Sequence, residues 1–216
     1  MCEKHNAVLS PLDNEAIQLF TFLQKFQRGH TTASNNTLSV DAHSIELWML
    51  KTLCGFLASR NSPTASVDML EGWSPPKWWI EVLFRKRSIP DRLGLYFHGG
   101  APPGTLQTTD TSGFNFQPLR QQEIGVYGAL LLLYTPRFII SMARPPEVVA
   151  GTLLEHATHR PSKLVLADGR LLHSVNFSVG YFGSRKADHH HLPKIERWSK
   201  EAQSVIPLLT YCVRQA

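Results

Sequence analysis

The stretch DAHSIELWMLKTLCGFLAS, residues 41–59, constrains this chain more than any other. Ile45, Trp48, Met49, Thr52, Leu53, Phe56 and Leu57 recur at helical spacing and form an apolar band too wide for a helix lying on a surface. Such a helix needs cover on several sides, so the rest of the chain must supply layers around it. The upstream segment offers one. Leu12, Ala16, Leu19, Leu23 and Phe26 follow one another at intervals of four and three, which gives a single apolar face. Ser10, Pro11 and Asp13 read as its start: a Ser cap, Pro at the first helical position, and an acid three residues after the cap. Gly29 reads as its stop, because glycine accepts the left-handed conformation that closes many helices. Between the two helices, HTTASNNTLS at 30–39 is polar and turn-rich. A third helix is expected within PPKWWIEVLFRK, started by the paired prolines and packing through Trp78, Trp79, Val82 and Leu83.

After about residue 92 the texture changes. LGLYFHGG, FNFQPL, EIGVYGALLLLY, RFIISMA, SKLVLA and LLHSVNFSVGYF are short, rich in branched and aromatic residues, and separated by Gly, Pro, Asp and Thr. They read as strands, and ADGR at 167–170 suits a tight hairpin between two of them. With no helical pattern between successive strands, the fold class is expected to be α+β, with N-terminal helices packed against a C-terminal, mainly antiparallel sheet. The helical part covers residues 1–90 and the sheet part 91–216, packed as one compact domain. LPKIERWSKEAQSVIPLL predicts a returning helix as far as Pro207.

A 43% hydrophobic content is ample for a packed core and argues against disorder. No apolar run reaches the roughly 18 residues of a membrane helix, so no membrane contact is expected. The first residues lack a basic segment followed by an apolar one, so no signal peptide is expected. Cys2, Cys54 and Cys212 give no disulfide framework, which points to the reducing cytoplasm, with Cys54 and Cys212 as small core residues. The net charge of +5 is diffuse and permits contact with nucleic acid. The one basic run, Arg85, Lys86 and Arg87, is the candidate contact; a solvated helix end is the other reading.

Zinc takes four tetrahedral ligands, and a thiolate and an imidazole on a tight knuckle supply two, so Cys2 and His5 have the spacing of half a site. The tract Asp188, His189, His190 and His191 has metal-binding composition, but consecutive residues point in different directions, and a solvated loop fits it equally. His156 and His159 would share a face beside Glu155 if their segment is helical. Of Trp73, Trp78 and Trp79, the adjacent pair cannot both face inward from one helix side, so one of them is a candidate contact with a protein partner or with a further N-terminal segment. No G-x-S-x-G, G-x-x-x-x-G-K-[ST] or G-x-G-x-x-G pattern occurs.

The run CEKHN followed by LSPLD resembles the second knuckle and following helix of treble-clef zinc fingers of the HNH endonuclease type. The continuation through IELWMLKTLCG looks like that of uncharacterised bacterial α+β proteins carrying such a knuckle. The resemblance implies zinc ligation by Cys2 and His5, with Asn6 as the residue after the knuckle. No C-x-x-C occurs in this sequence to partner it, and no Asp-His pair that would activate water stands before the knuckle. The expected function is therefore a binding or accessory module without catalysis of its own. An HNH-like metal-dependent nuclease with an incomplete finger, and a nucleic-acid-binding module, are the alternatives.

Overall fold

The computed structural model describes residues 3–29, 36–58, 75–98, 114–121, 125–133, 136–143, 154, 157–168, 171–178 and 208–213. Among them are three helices, α1 (Glu3–Gln27), α2 (Ala42–Ala58) and α3 (Lys77–Leu83). The strands are β1 (Thr37–Asp41), β2 (Gly94–His98), β3 (Phe114–Gln121), β4 (Gly125–Leu133), β5 (Arg137–Ser141), β6 (Thr158–His159), β7 (Lys163–Asp168), β8 (Leu171–Ser178) and β9 (Leu208–Val213). The fold is α+β, with two mainly antiparallel sheets ordered β1-β8-β7-β9 and β3-β4-β5-β2-β6.

The apolar face read for α1 is the buried one: Leu12, Ala16, Leu19, Leu23 and Phe26 all lie in the core. Its start is elsewhere. The helix begins at Glu3 and runs through Pro11, where the expected cap residue does a different job. Proline has no N–H to give the carbonyl four residues back, and the Ser10 hydroxyl donates to that carbonyl, Ala7 O, at 2.9 Å. Buried Leu9 adds one more core contact upstream. Replacing Pro11 by Ala restores the missing helical bond and is expected to raise stability by about 1–3 kcal/mol, read as a higher urea midpoint. At the other end Gly29 takes φ 64° and its N–H bonds Phe26 O, as a helix-closing glycine does.

Asp41 caps α2, its carboxylate accepting from the backbone N–H groups of His43 and Ser44 at 3.2 Å. Ile45, Trp48, Met49, Leu53 and Leu57 are buried, and so are Leu47, Leu50 and Cys54 on other faces. Burial pushes the Cys54 thiol up to about 12, which makes it a core filler rather than a nucleophile. α2 thus sits where its sequence demands, with cover on nearly every side. One core joins all three helices to both sheets, and the Phe138 and Phe177 rings meet 6.3 Å apart between β5 and β8. The five-stranded sheet is apolar on its other face too, where Tyr96, Tyr127, Leu130 and Ile139 cluster with Leu154.

Three expectations of local structure change. The turn-rich stretch 30–39 contains the start of β1, which pairs in parallel with β8 from Thr37↔Ser174 to Asp41↔Ser178, so helices and sheet interleave along the chain. His159 lies on β6, paired with Tyr96, and not on a helix. After Pro207 the chain forms β9, antiparallel to β7, while the helix expected before it lies outside the described residues.

Candidate functional site

Glu46 projects from the first turns of α2 into the protein, its side chain 3% exposed. Burial of an ionised carboxylate is costly unless its lone pairs are filled, and here all approaches are taken. Oε1 accepts from the Leu95 N–H at 2.9 Å and from Arg160 Nε at 2.7 Å. Oε2 lies 3.3 Å from both Arg160 Nη2 and His43 Nδ1. Burial by itself raises the carboxyl's pKa, but the bonds from His43, Arg160 and Leu95 outweigh it and hold the group below its ordinary value. A carboxylate so held is a weak base. Its chemistry is that of an anchor joining α2, β2 and the turn after β6.

The backbone around Glu46 is bent to make room. Gly94 takes φ 108°, and a Cβ there would run into Glu46 Oε1. Arg92 and Arg160 adopt φ 64° and 43°, a left-handed conformation unfavourable for side chains of this size. Arg160 N–H donates to Leu95 O at 2.8 Å, and His159 Nε2 lies 2.9 Å from Leu93 O. The Tyr96 hydroxyl donates to Arg92 O, and burial pushes its pKa up to about 12. His43 and Arg160, 18% and 31% exposed, are the members that reach the surface.

Two surface features lie apart from this joint. Phe114 on the outer strand β3 is 54% exposed, and Ile17 on α1 is 58% exposed. Phe20, one turn from Ile17, packs its ring against Phe114 at 5.7 Å and against Trp48 at 5.1 Å. Phe116, two residues along β3, faces Phe56 at 6.1 Å, so the apolar surface runs from solvent into the core. The second feature is the turn after α3. Lys86 N–H bonds Glu81 O and Arg85 N–H bonds Val82 O, the paired bonds of a helix-closing motif, with Arg85 left-handed at φ 56°. Arg85, Lys86 and Arg87 are all exposed.

The residues singled out in the sequence fall as follows. Trp79 is buried in the core, while Trp78 is half-buried against it, with the Arg87 guanidinium 5.5 Å from its ring centre. His5 lies within α1. Cys2, His156, Trp73, Cys212's side chain and the tract His189, His190 and His191 lie outside the described residues. Among the described residues no three His, Cys, Asp or Glu side chains converge as a metal site, and no helix is long and apolar enough to cross a membrane. No protein-family model, curated protein or solved structure matches this chain.

The Glu46 joint escaped the sequence reading. Its one local signal is an acid inside an apolar band, between Ile45 and Leu47, which demands a cation somewhere. The cation that answers is 114 residues away.

Proposed function

We propose that this chain is a binding module whose partner is a protein, held at the apolar surface of Ile17, Phe20, Phe114 and Phe116. The observation that carries the reading is the 54% exposure of Phe114, whose ring packs against Phe20, together with the 58% exposure of Ile17 one turn from Phe20 on α1. Aromatic side chains at the edge of such a patch are favoured anchors of protein contacts. Pro118 lies in β3 and cannot donate a ladder hydrogen bond, so the side-chain face rather than strand addition is the surface offered. The exposed charges on α1 beyond Ala16, on the turn after it and on β3 are Lys25, Arg28 and Arg120. The matching partner segment is therefore apolar with acidic flanks.

The test uses two displayed libraries of amphipathic peptides, one with acidic and one with basic flanks, selected against the whole chain. Acidic-flanked peptides are expected to dominate, and Phe114→Asp is expected to weaken them by about tenfold or more. Peptides indifferent to Phe114→Asp and Ile17→Asp would remove the proposal.

A further inference from the structure

Glu46 holds two side chains on one oxygen. His43 Nδ1 and Arg160 Nη2 each lie 3.3 Å from Glu46 Oε2, so the imidazole and the guanidinium are close neighbours where the joint meets the surface. An ionised carboxylate can only accept, so the hydrogen in the first contact belongs to Nδ1. In the neutral ring the lone pair is then on Nε2, which makes no hydrogen bond among the described residues. A guanidinium has five N–H donors, and Arg160 gives Nε and one from Nη2 to Glu46, which leaves three without a partner among the described residues.

Stability alone does not call for this arrangement. A buried ion pair is often replaceable by apolar side chains of similar volume without loss, and Arg160 is held here on a left-handed backbone, φ 43°. What the arrangement supplies is a nitrogen nucleophile of fixed orientation beside a planar fork of cationic donors, which suits phosphoryl oxygens. Asp41, the acid two residues before His43, accepts from the His43 and Ser44 N–H groups and the Ser44 hydroxyl, which offsets its repulsion of an approaching anion. We propose that His43 is a phosphoryl-accepting residue whose donor is a small acyl phosphate, at a site that shares no residue with the apolar patch. The Nε2 lone pair attacks phosphorus as the bond from phosphorus to the acyl oxygen breaks, and the carboxylate leaves with that electron pair. A carboxylate leaves without needing a proton, so an acyl phosphate is the donor class that this pair can use unaided. The ring becomes a cation, keeps its Nδ1 hydrogen and is balanced by Glu46, a positioning residue too weakly basic to remove it. Arg160 takes the phosphoryl oxygens.

The test incubates the whole chain with acetyl phosphate at neutral pH and maps the product by mass spectrometry and phosphorus NMR. A phosphoryl group is expected on His43 Nε2, labile in acid and stable in base, formed roughly tenfold faster than on any other of the ten histidines. Inorganic phosphate, competing for Arg160, should slow the labelling, and so should Glu46→Gln in a folded variant. His43→Gln, at a position that reaches the surface, is expected to fold and to lose the label. A label that survives His43→Gln, spreads evenly over several histidines or sits on Nδ1 would overturn the inference. So would a rate indifferent to both inorganic phosphate and Glu46→Gln, or no label at all.

Discussion

Glu46→Ala is expected to destabilise the protein by about 3–5 kcal/mol, since it strands the Arg160 guanidinium and the Leu95 N–H around a hole. For a chain of this length that is a fall of roughly 10 °C in Tm, measurable by calorimetry. Because the folded carboxyl titrates below its ordinary value of 4.5, its contribution is complete above about pH 4.5 and disappears as pH falls through the lower folded value. A Glu46→Gln variant lacks that titration. The gap between parent and Gln variant should therefore narrow as pH drops below about 4.5, and a gap constant from pH 7 to pH 3 would contradict the ionised anchor. Gly94 belongs to the same unit. Gly94→Ala pushes a methyl group into Glu46 Oε1, so its penalty should be smaller in the Glu46→Ala background than in the parent, a non-additivity expected of groups in contact.

Gly128→Ala is expected to be nearly as damaging, at about 2–4 kcal/mol, although only one methyl group is added. β4 lies between β3 and β5, and Gly128 pairs with Leu119 on one side and Ser141 on the other. The register shifts there: Leu119 faces Gly128 but Arg120 faces Val126, leaving Tyr127 as the extra residue of a bulge. Tyr127 O then accepts the Met142 N–H at 2.7 Å, drawing the β5 end close. A Cβ at 128 would meet the Ile140 carbonyl oxygen, which belongs to backbone and cannot rotate away. Gly55 is the control. It lies exposed within α2 with nothing near its Cβ position, so Gly55→Ala should stabilise by about 0.5–1 kcal/mol. Chemical denaturation of the two variants side by side checks both signs; equal effects would show that backbone approach at β4 is looser than described.

The parts of the fold that were legible in the sequence are those whose cause is local. The face of α1, the all-round burial of α2 and the strands from β2 to β5, β7 and β8 follow from period and composition, because each side chain's neighbours along the chain reveal which way it must point. The parts that were not legible depend on a distant partner. In β1 only Leu38 and Val40 are apolar, and Thr37 and Ser39 disguise a strand that exists because β8 lies beside it. β6 is two residues long and is defined by Tyr96 and Phe97 across from it. Ser-Pro read as a helix start because the local signal is the same whether serine caps a helix or repairs one already under way. The candidate site shows the same division. Glu46 was visible as an acid within an apolar band, whereas Arg160, which answers it, was not.

The pairing of Thr37 with Ser174 has a consequence for the order of events during synthesis, since the two partners are 137 residues apart. At ribosomal rates of about 5–20 residues per second, the first strand waits on the order of ten seconds for its neighbour to be made. Over that interval its backbone groups stand open, next to a helix built to be enclosed. Completion of the native state is thus a late, long-range closure, and a nascent chain arrested before residue 171 would be the form most in need of a chaperone.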